Sequence, residues 1–328
     1  MIDLFALPFM QRAILAAVLS GLMAPAIGTF IVQRKMSLLG DGLGHVAIMG
    51  VGLAMLTGWA PMPVAVVVCV AGAVIVELLR QHGKASGDLG LAILFYGGLA
   101  SGVLMAGMAG QGAGGLSSYL FGSLTSVSQA DIWLIVVLAV VVLLCTIGLA
   151  PRLFSVAVDE DYSQVLGIRV KVLNLLVVVL AAVTITVSMR TVGLLLVSAL
   201  MVIPVATAQQ SFVGFFPAFF GSMAIGMLAA LGGTMGSFYL DTATGATIVV
   251  TAIGLLGLSW LIGGRLRRED RFIPFVEDHG DHTHEPAEGG PAGSHGHESH
   301  LAIQHGDHLD YVHDGHRHAW HGDHYDEH

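Results

Sequence analysis

The sequence predicts an all-α fold: a polytopic helical membrane protein of eight to nine transmembrane helices, ending in a disordered His-rich C-terminal tail. Three observations carry this. Of 328 residues, 55% are hydrophobic and only 11% are charged, whereas soluble domains spend about a quarter of theirs on charge. The apolar residues come in runs long enough for the roughly 20 helical residues that cross a bilayer. Fourteen of the 16 histidines fall between His279 and His328.

The first residues, "MIDLFALPFMQR", are punctuated by polar side chains and lead straight into an apolar run, so they do not read as a signal peptide. Nine apolar segments follow, at 13–32, 44–60, 62–79, 89–108, 131–150, 172–189, 192–208, 211–231 and 243–263. The connections near 60–62, 189–192 and 208–211 are short enough for two neighbours to form one bent or re-entrant element, which keeps eight spans open. Pro25, Gly28, Pro204, Pro217 and Gly226 lie inside segments, as expected where membrane helices pack closely and kink. Cys69 and Cys145 sit in apolar runs with no motif around them.

Loop charge predicts orientation. Arg34 and Lys35, Arg80 and Lys84, then Arg152, Arg169 and Lys171, then Arg265, Arg267, Arg268 and Arg271 occupy alternate loops. The loops at 109–130 and 232–242 hold neither Lys nor Arg. With nine spans, basic loops and tail lie in the cytoplasm and the N-terminus outside. Arg12 and Arg190 fit that pattern less well.

Net charge divides the chain. Residues 277–328 carry 12 of the 23 acidic residues and one basic residue, Arg317, a formal −11 that leaves +2 for the rest. Three regions are expected: a transmembrane body over 1–265, a basic juxtamembrane linker over 266–276, and a disordered acidic His-rich metal-binding tail over 277–328. Residues 159–171, "DEDYSQVLGIRVK", combine an acidic start with Val165, Leu166 and Ile168 at helical spacing. They read as a short surface helix, either a solvated connector or a docking helix for a cytoplasmic partner.

Several chemistries are excluded. "QHGKAS" at 81–86 lacks the first glycine of a nucleotide-binding loop and has Ala85 where Ser or Thr should bind magnesium. Only His45 and His82 lie outside the tail, so a catalytic triad in the body is not supported. The chain reads as a conduit without its own engine. No catalytic residue and no bound cofactor is expected.

Asp41 and His45, at i and i+4, share one helix face with about 5–6 Å between Cβ atoms. A carboxylate and an imidazole so placed can grip one divalent cation. They supply two ligands, and two copies of the chain would supply four. The alternative is a helix cap, or a carboxylate that orients its neighbour. Against it, ionisable residues at membrane depth cost roughly 2.5–3.5 kcal/mol on insertion scales and usually mark a pathway. Glu77 reads as snorkelling or pairing with Arg80, Asp131 and Asp241 as helix caps, and Gln209 and Gln210 as turn residues.

The tail histidines are His279, His282, His284, His295, His297, His300, His305, His308, His313, His316, His318, His321, His324 and His328. Interleaved with acids and poor in apolar residues, this segment has little to build a core from. Imidazoles two and three residues apart can chelate zinc, nickel or copper, and binding would release protons.

The stretch "FIVQRKMSLLGDGLGHVAIMGVGLA" resembles the signature region of the membrane permeases of metal-cation ABC importers, the zinc/manganese/iron family. "LSSYLFGSLTSVS" (116–128), "VDEDYSQVLGIRV" (158–170), "RTVGLLLVSALMVIPVATA" (190–208) and "GSFYLDTATGATIVV" (236–250) are similar to further family segments in the same order. The resemblance covers residues 1–265. It implies a multi-pass permease of a bacterial-type inner (plasma) membrane that pairs with a second permease copy, as a homodimer or with a close relative. It also implies two cytoplasmic ATPase subunits and an extracytoplasmic metal-binding protein as partners, with no nucleic acid. Asp41 and His45 carry over to the translocation path. Asp159 to Lys171 carry over to the ATPase-coupling helix, with Asp159, Glu160, Asp161, Tyr162, Val165, Leu166 and Gly167 at its core. Gly42, Gly44 and Val46 depart from the family pattern. The expected cargo is a divalent transition metal, zinc ahead of manganese because imidazole suits the harder ion poorly. A manganese or iron permease of the same family, or a secondary metal transporter with a His-rich sensor tail, is the alternative.

Overall fold

In the computed structural model the described residues are 8–82, 87–110, 112–122, 128–190 and 192–266, together with strands within 301–327. Residues 1–263 form one compact unit and 264–328 another.

The first unit is entirely helical. In chain order it contains α1 (Pro8–Gln33), α2 (Leu39–Thr57), α3 (Pro61–Gln81), α4 (Gly87–Met108), α5 (Gly112–Phe121) and α6 (Gln129–Gly148). Then come α7 (Ala150–Val158), α8 (Glu160–Val165), α9 (Val170–Ser188), α10 (Leu194–Ser211), α11 (Phe215–Leu240) and, reaching past residue 263, α12 (Thr244–Leu266). Among the described residues, seven helices are long and apolar enough to cross a membrane: α1, α2, α3, α6, α9, α11 and α12. The apolar stretches Ala92–Met108 and Leu196–Ser211, in α4 and α10, are shorter. The tight connections are real breaks. Gly58 ends α2 in a left-handed conformation (φ 75°), and Gly193 (φ 84°) and Gly214 (φ 89°) precede α10 and α11. These backbone angles favour glycine. Two expectations are corrected here. Gln209 and Gln210 lie in the last turn of α10, not in a turn between elements. Asp241 caps the C-terminus of α11 in the left-handed region rather than opening a helix.

Glycine decides the packing. With no hydrophobic force between helices in lipid, close approach of small residues carries association. A Cβ at Gly21 of α1 would meet Gly226 O of α11 at 2.6 Å, and the two backbones cross there. On α2, Gly40 faces Ser198 and Gly44 faces Leu194 of α10, while Gly50 abuts Ala65 of α3. Gly98 and Gly102 of α4 lie against the α2 backbone at His45 and Ile48. So α2 is enclosed by α3, α4 and α10, and most of its residues from Leu39 to Ala54 are buried. By contrast α6 presents Trp133, Val137, Val140 and Leu144, and α12 presents Val250, Ile253 and Leu261, as open apolar faces suited to lipid.

Polar clusters sit at the two ends of α9. At its start, buried Glu77 accepts two bonds from Arg80 (2.9 Å each) and one from Gln81 (2.8 Å). Gln81 also reaches Lys171 O at 3.1 Å, and Asn174 donates to Glu160 at 2.9 Å. Near its far end, Ser128 and Asp131 form a capping box at the start of α6. There Arg190 approaches Asp131 at 3.6 Å and lies 5.1 Å over the Tyr119 ring. Nineteen residues of α9 at 1.5 Å per residue put roughly 28 Å between the clusters, close to the ~30 Å hydrocarbon core. Arg190, awkward in the loop-charge pattern, is matched locally by Asp131.

In the second unit, β1 (Leu301–His305), β2 (His308–His313), β3 (His316–His321) and β4 (His324–Glu327) form an antiparallel sheet in the order β1-β2-β3-β4. Gly306-Asp307, Asp314-Gly315 and Gly322-Asp323 separate the strands by two residues each, the spacing and composition that favour hairpins. His279, His282, His284, His295, His297, His300 and His328 lie outside the described residues.

Candidate functional site

Asp41 lies in the first turn of α2, where a negative charge is favoured by the helix dipole. No side chain caps that helix through a hydrogen bond, so the capping role considered for Asp41 is not the one it plays. His45, one turn on, is 6% exposed. Its ring meets Phe95 of α4 edge-on, with centroids 4.0 Å apart. That contact exists because Gly98 lets α4 close on His45: a Cβ there would lie 2.7 Å from the His45 carbonyl carbon.

Buried His45 Nδ1 has no hydrogen-bond partner. An orphaned buried polar atom costs about 1–3 kcal/mol, and such groups in native structures point to a ligand, ion or function. A second orphan is close by. Ser198 Oγ of α10 is buried and unpaired, and it would lie 2.9 Å from a Cβ at Gly40. The first turns of α2 and the facing turn of α10 thus hold a carboxylate, an imidazole and a hydroxyl. Ser198 escaped sequence reading, since a serine in an apolar helix is common and only the fold brings it to Gly40. Among the described residues no group of three or more His, Cys, Asp or Glu could hold a metal, so the Asp41–His45 pair is a partial donor set within one chain.

Seven residues before Asp41, Arg34 opens onto the cluster at the start of α9. Burial pulls its guanidinium below the ordinary value, and the nearby Glu160 carboxylate opposes that shift. Two of its nitrogens are buried without hydrogen-bond partners. Glu160 belongs to α8, which Asp159 caps by accepting from Tyr162 N at 2.8 Å. The expected surface helix over 159–171 is thus realised as α8 followed by Gly167 in a left-handed turn (φ 75°). Tyr162, Val165 and Leu166 are exposed, Val165 at 84%. Glu160 and Ser163 face the bundle, while Asp161 and Gln164 are exposed together with the apolar Val165 and Leu166, which a helix that merely covers a core would bury.

A helical membrane body with a buried histidine whose Nδ1 lacks a partner, one turn from a carboxylate, has the marks of a transport path. Over residues 6–262 the chain matches the ABC 3 transport family, and it belongs to that family. It is 32% identical over 253 residues to the high-affinity zinc uptake system membrane protein ZnuB of Haemophilus influenzae, covering 75% of this chain and 95% of that one. It is 30% identical over 260 residues to the manganese import system permease protein ScaB of Streptococcus parasanguinis (79% and 92%). The chelated iron transport system membrane protein YfeD of Yersinia pestis is 29% identical over 249 residues (75% and 82%). Among solved structures, PsaBC from Streptococcus pneumoniae in complex with Fab aligns with a TM-score of 0.73 at 27% identity, covering 82% of this chain and 97% of that one. The family match ends at residue 262, ahead of the His-rich tail.

Proposed function

We propose that this chain is the permease subunit of an ATP-driven importer of a divalent transition metal, and that its cargo is zinc. The observation that carries the metal path is the orphaned Nδ1 of His45, buried one turn from Asp41. Imidazole nitrogen and carboxylate oxygen are donors that zinc accepts, and a partial set suits a passing ion better than a resident one. A second permease copy would double the donors. ATP hydrolysis belongs to two separate cytoplasmic subunits docking on the exposed apolar side of α8, and an extracytoplasmic protein delivers the ion. Movement of α8 would reach α2 through Glu160, Arg34 and the Glu77–Arg80 pair. On this reading the protein is a multi-pass inner-membrane protein with its tail in the cytoplasm, where residues 277–328 bind incoming metal as buffer or sensor. Three regions follow: the permease over 1–265, a linker over 266–276 and the tail. Manganese and iron are the competing cargoes, because relatives with those names match as well as the zinc relative does.

The test is uptake of radioactive zinc and manganese into vesicles holding the purified transporter with its partners. ATP-dependent zinc uptake should exceed manganese uptake, and Asp41→Ala and His45→Ala should each abolish it. Equal rates in wild type and both variants would remove the pair from the path, and uptake without ATP would point to a secondary transporter.

A further inference from the structure

The sheet of the second unit brings together residues that are scattered in the sequence. His305 and His308 are directly opposite on β1 and β2, and His321 and His324 are directly opposite on β3 and β4. Directly opposed residues share a face, with Cβ atoms about 4.5–5.5 Å apart. Side chains two apart on a strand also share a face. Asp310 therefore joins His308, and Asp326 joins His324. The register between β2 and β3 pairs Asp310 with Ala319, which lies two residues before His321. All six residues consequently occupy one face of the sheet. The sequence shows the same thing as a repeat: "HGDHLD" at 305–310 returns as "HGDHYD" at 321–326, 16 residues later.

We propose that each hairpin forms one divalent-metal site, His305–His308–Asp310 and His321–His324–Asp326, so that the sheet carries two equivalent ions on one face. Two imidazoles and one carboxylate are a donor set for zinc or a neighbouring first-row ion, with coordination positions left to water. An open coordination sphere exchanges its ion readily, which fits a segment that takes up and releases cargo. The two-residue connection does the positioning, because any change of register by one residue sends one histidine to the opposite face. The remaining strand histidines do not repeat the set. His313 and His316 are opposed at the other end of the sheet and share the opposite face with His318, a set of three imidazoles with no carboxylate two residues beyond His316. The inference rests on the reading of the tail as a metal-binding segment.

Composition-preserving exchanges test it. In the full-length protein, purified in detergent and equilibrated with zinc, His308→Leu combined with Leu309→His moves one histidine to the other face without changing the histidine count. His324→Tyr combined with Tyr325→His does the same in the second hairpin. Each exchange should remove one tightly bound zinc per chain, and both together should remove two. His295→Gly with Gly296→His, ahead of the strands, should remove none. Asp310→Asn, which leaves the strand sequence nearly isosteric, should weaken one site at least ~10-fold, since even outer-shell changes cost 10–100-fold in metal affinity. Full stoichiometry in the double exchange would overturn the proposal and leave binding to composition alone. If deletion of 277–328 leaves bound zinc unchanged, the tail-binding reading itself fails, and the proposal with it.

Discussion

His45 and Phe95 meet edge-on at 4.0 Å between ring centroids, across an interface that only glycine at position 98 permits. The histidine is held by packing while its Nδ1 is left without a partner. His45→Phe should therefore keep the bundle folded, at a cost of about 1–3 kcal/mol for the larger ring. Metal uptake should fall at least 10–100-fold, the range for lost metal-site groups. A folded variant that still transports at the wild-type rate would make His45 a packing residue.

The interface itself can be probed from the α4 side. Gly98→Ala places a methyl 2.7 Å from the His45 backbone, so the helices must separate, whereas a Cβ at Gly97 meets nothing within 4 Å. Gly98→Ala is expected to lower stability by about 1–3 kcal/mol. Gly97→Ala should stay within about 0.5 kcal/mol of wild type. Thermal unfolding in detergent of both variants provides the comparison.

Glu77 is almost wholly buried and Arg80 is half-exposed. Arg80→Met leaves that carboxylate with only Gln81 as a hydrogen-bond partner, and should destabilise by about 3–5 kcal/mol, as expected when one side of a buried pair is removed. Adding Glu77→Met should recover part of the loss. A double variant as unstable as the sum of the singles would show that the pair does not couple.

Arg34 presents the opposite case. Its buried nitrogens lack partners and burial already disfavours its charge, so Arg34→Met should leave thermal stability unchanged or raise it. If Arg34 links α8 to α2, the same variant should slow ATP-driven uptake. Unfolding and uptake measured on one preparation separate the two effects.

At α8, Val165 is the most exposed apolar residue of the surface helix. Val165→Asp should change the stability of the isolated permease by no more than about 0.5 kcal/mol. It should reduce co-purification of the ATPase subunit and transport together. Unaltered co-purification would leave α8 as a solvated connector.

The sequence by itself determined the class of fold. Apolar run length, loop charge and the acidic turn at 277 depend on composition and short spacing, and these act before any tertiary contact forms. It also singled out Asp41 and His45, because a helix turn is a local fact. Only the tertiary structure decided that Ser198 faces Gly40, that Glu160 and Glu77 share a cluster with Arg34, and that Arg190 is matched by Asp131. Those pairings join residues far apart in the chain, and no periodicity encodes which helices touch. The tail lies between the two cases. Its Gly-Asp and Asp-Gly connections were legible, but which histidines become opposed depends on strand register. Register is a property of the paired backbones, and a slip of one residue would send the same histidines to the other face.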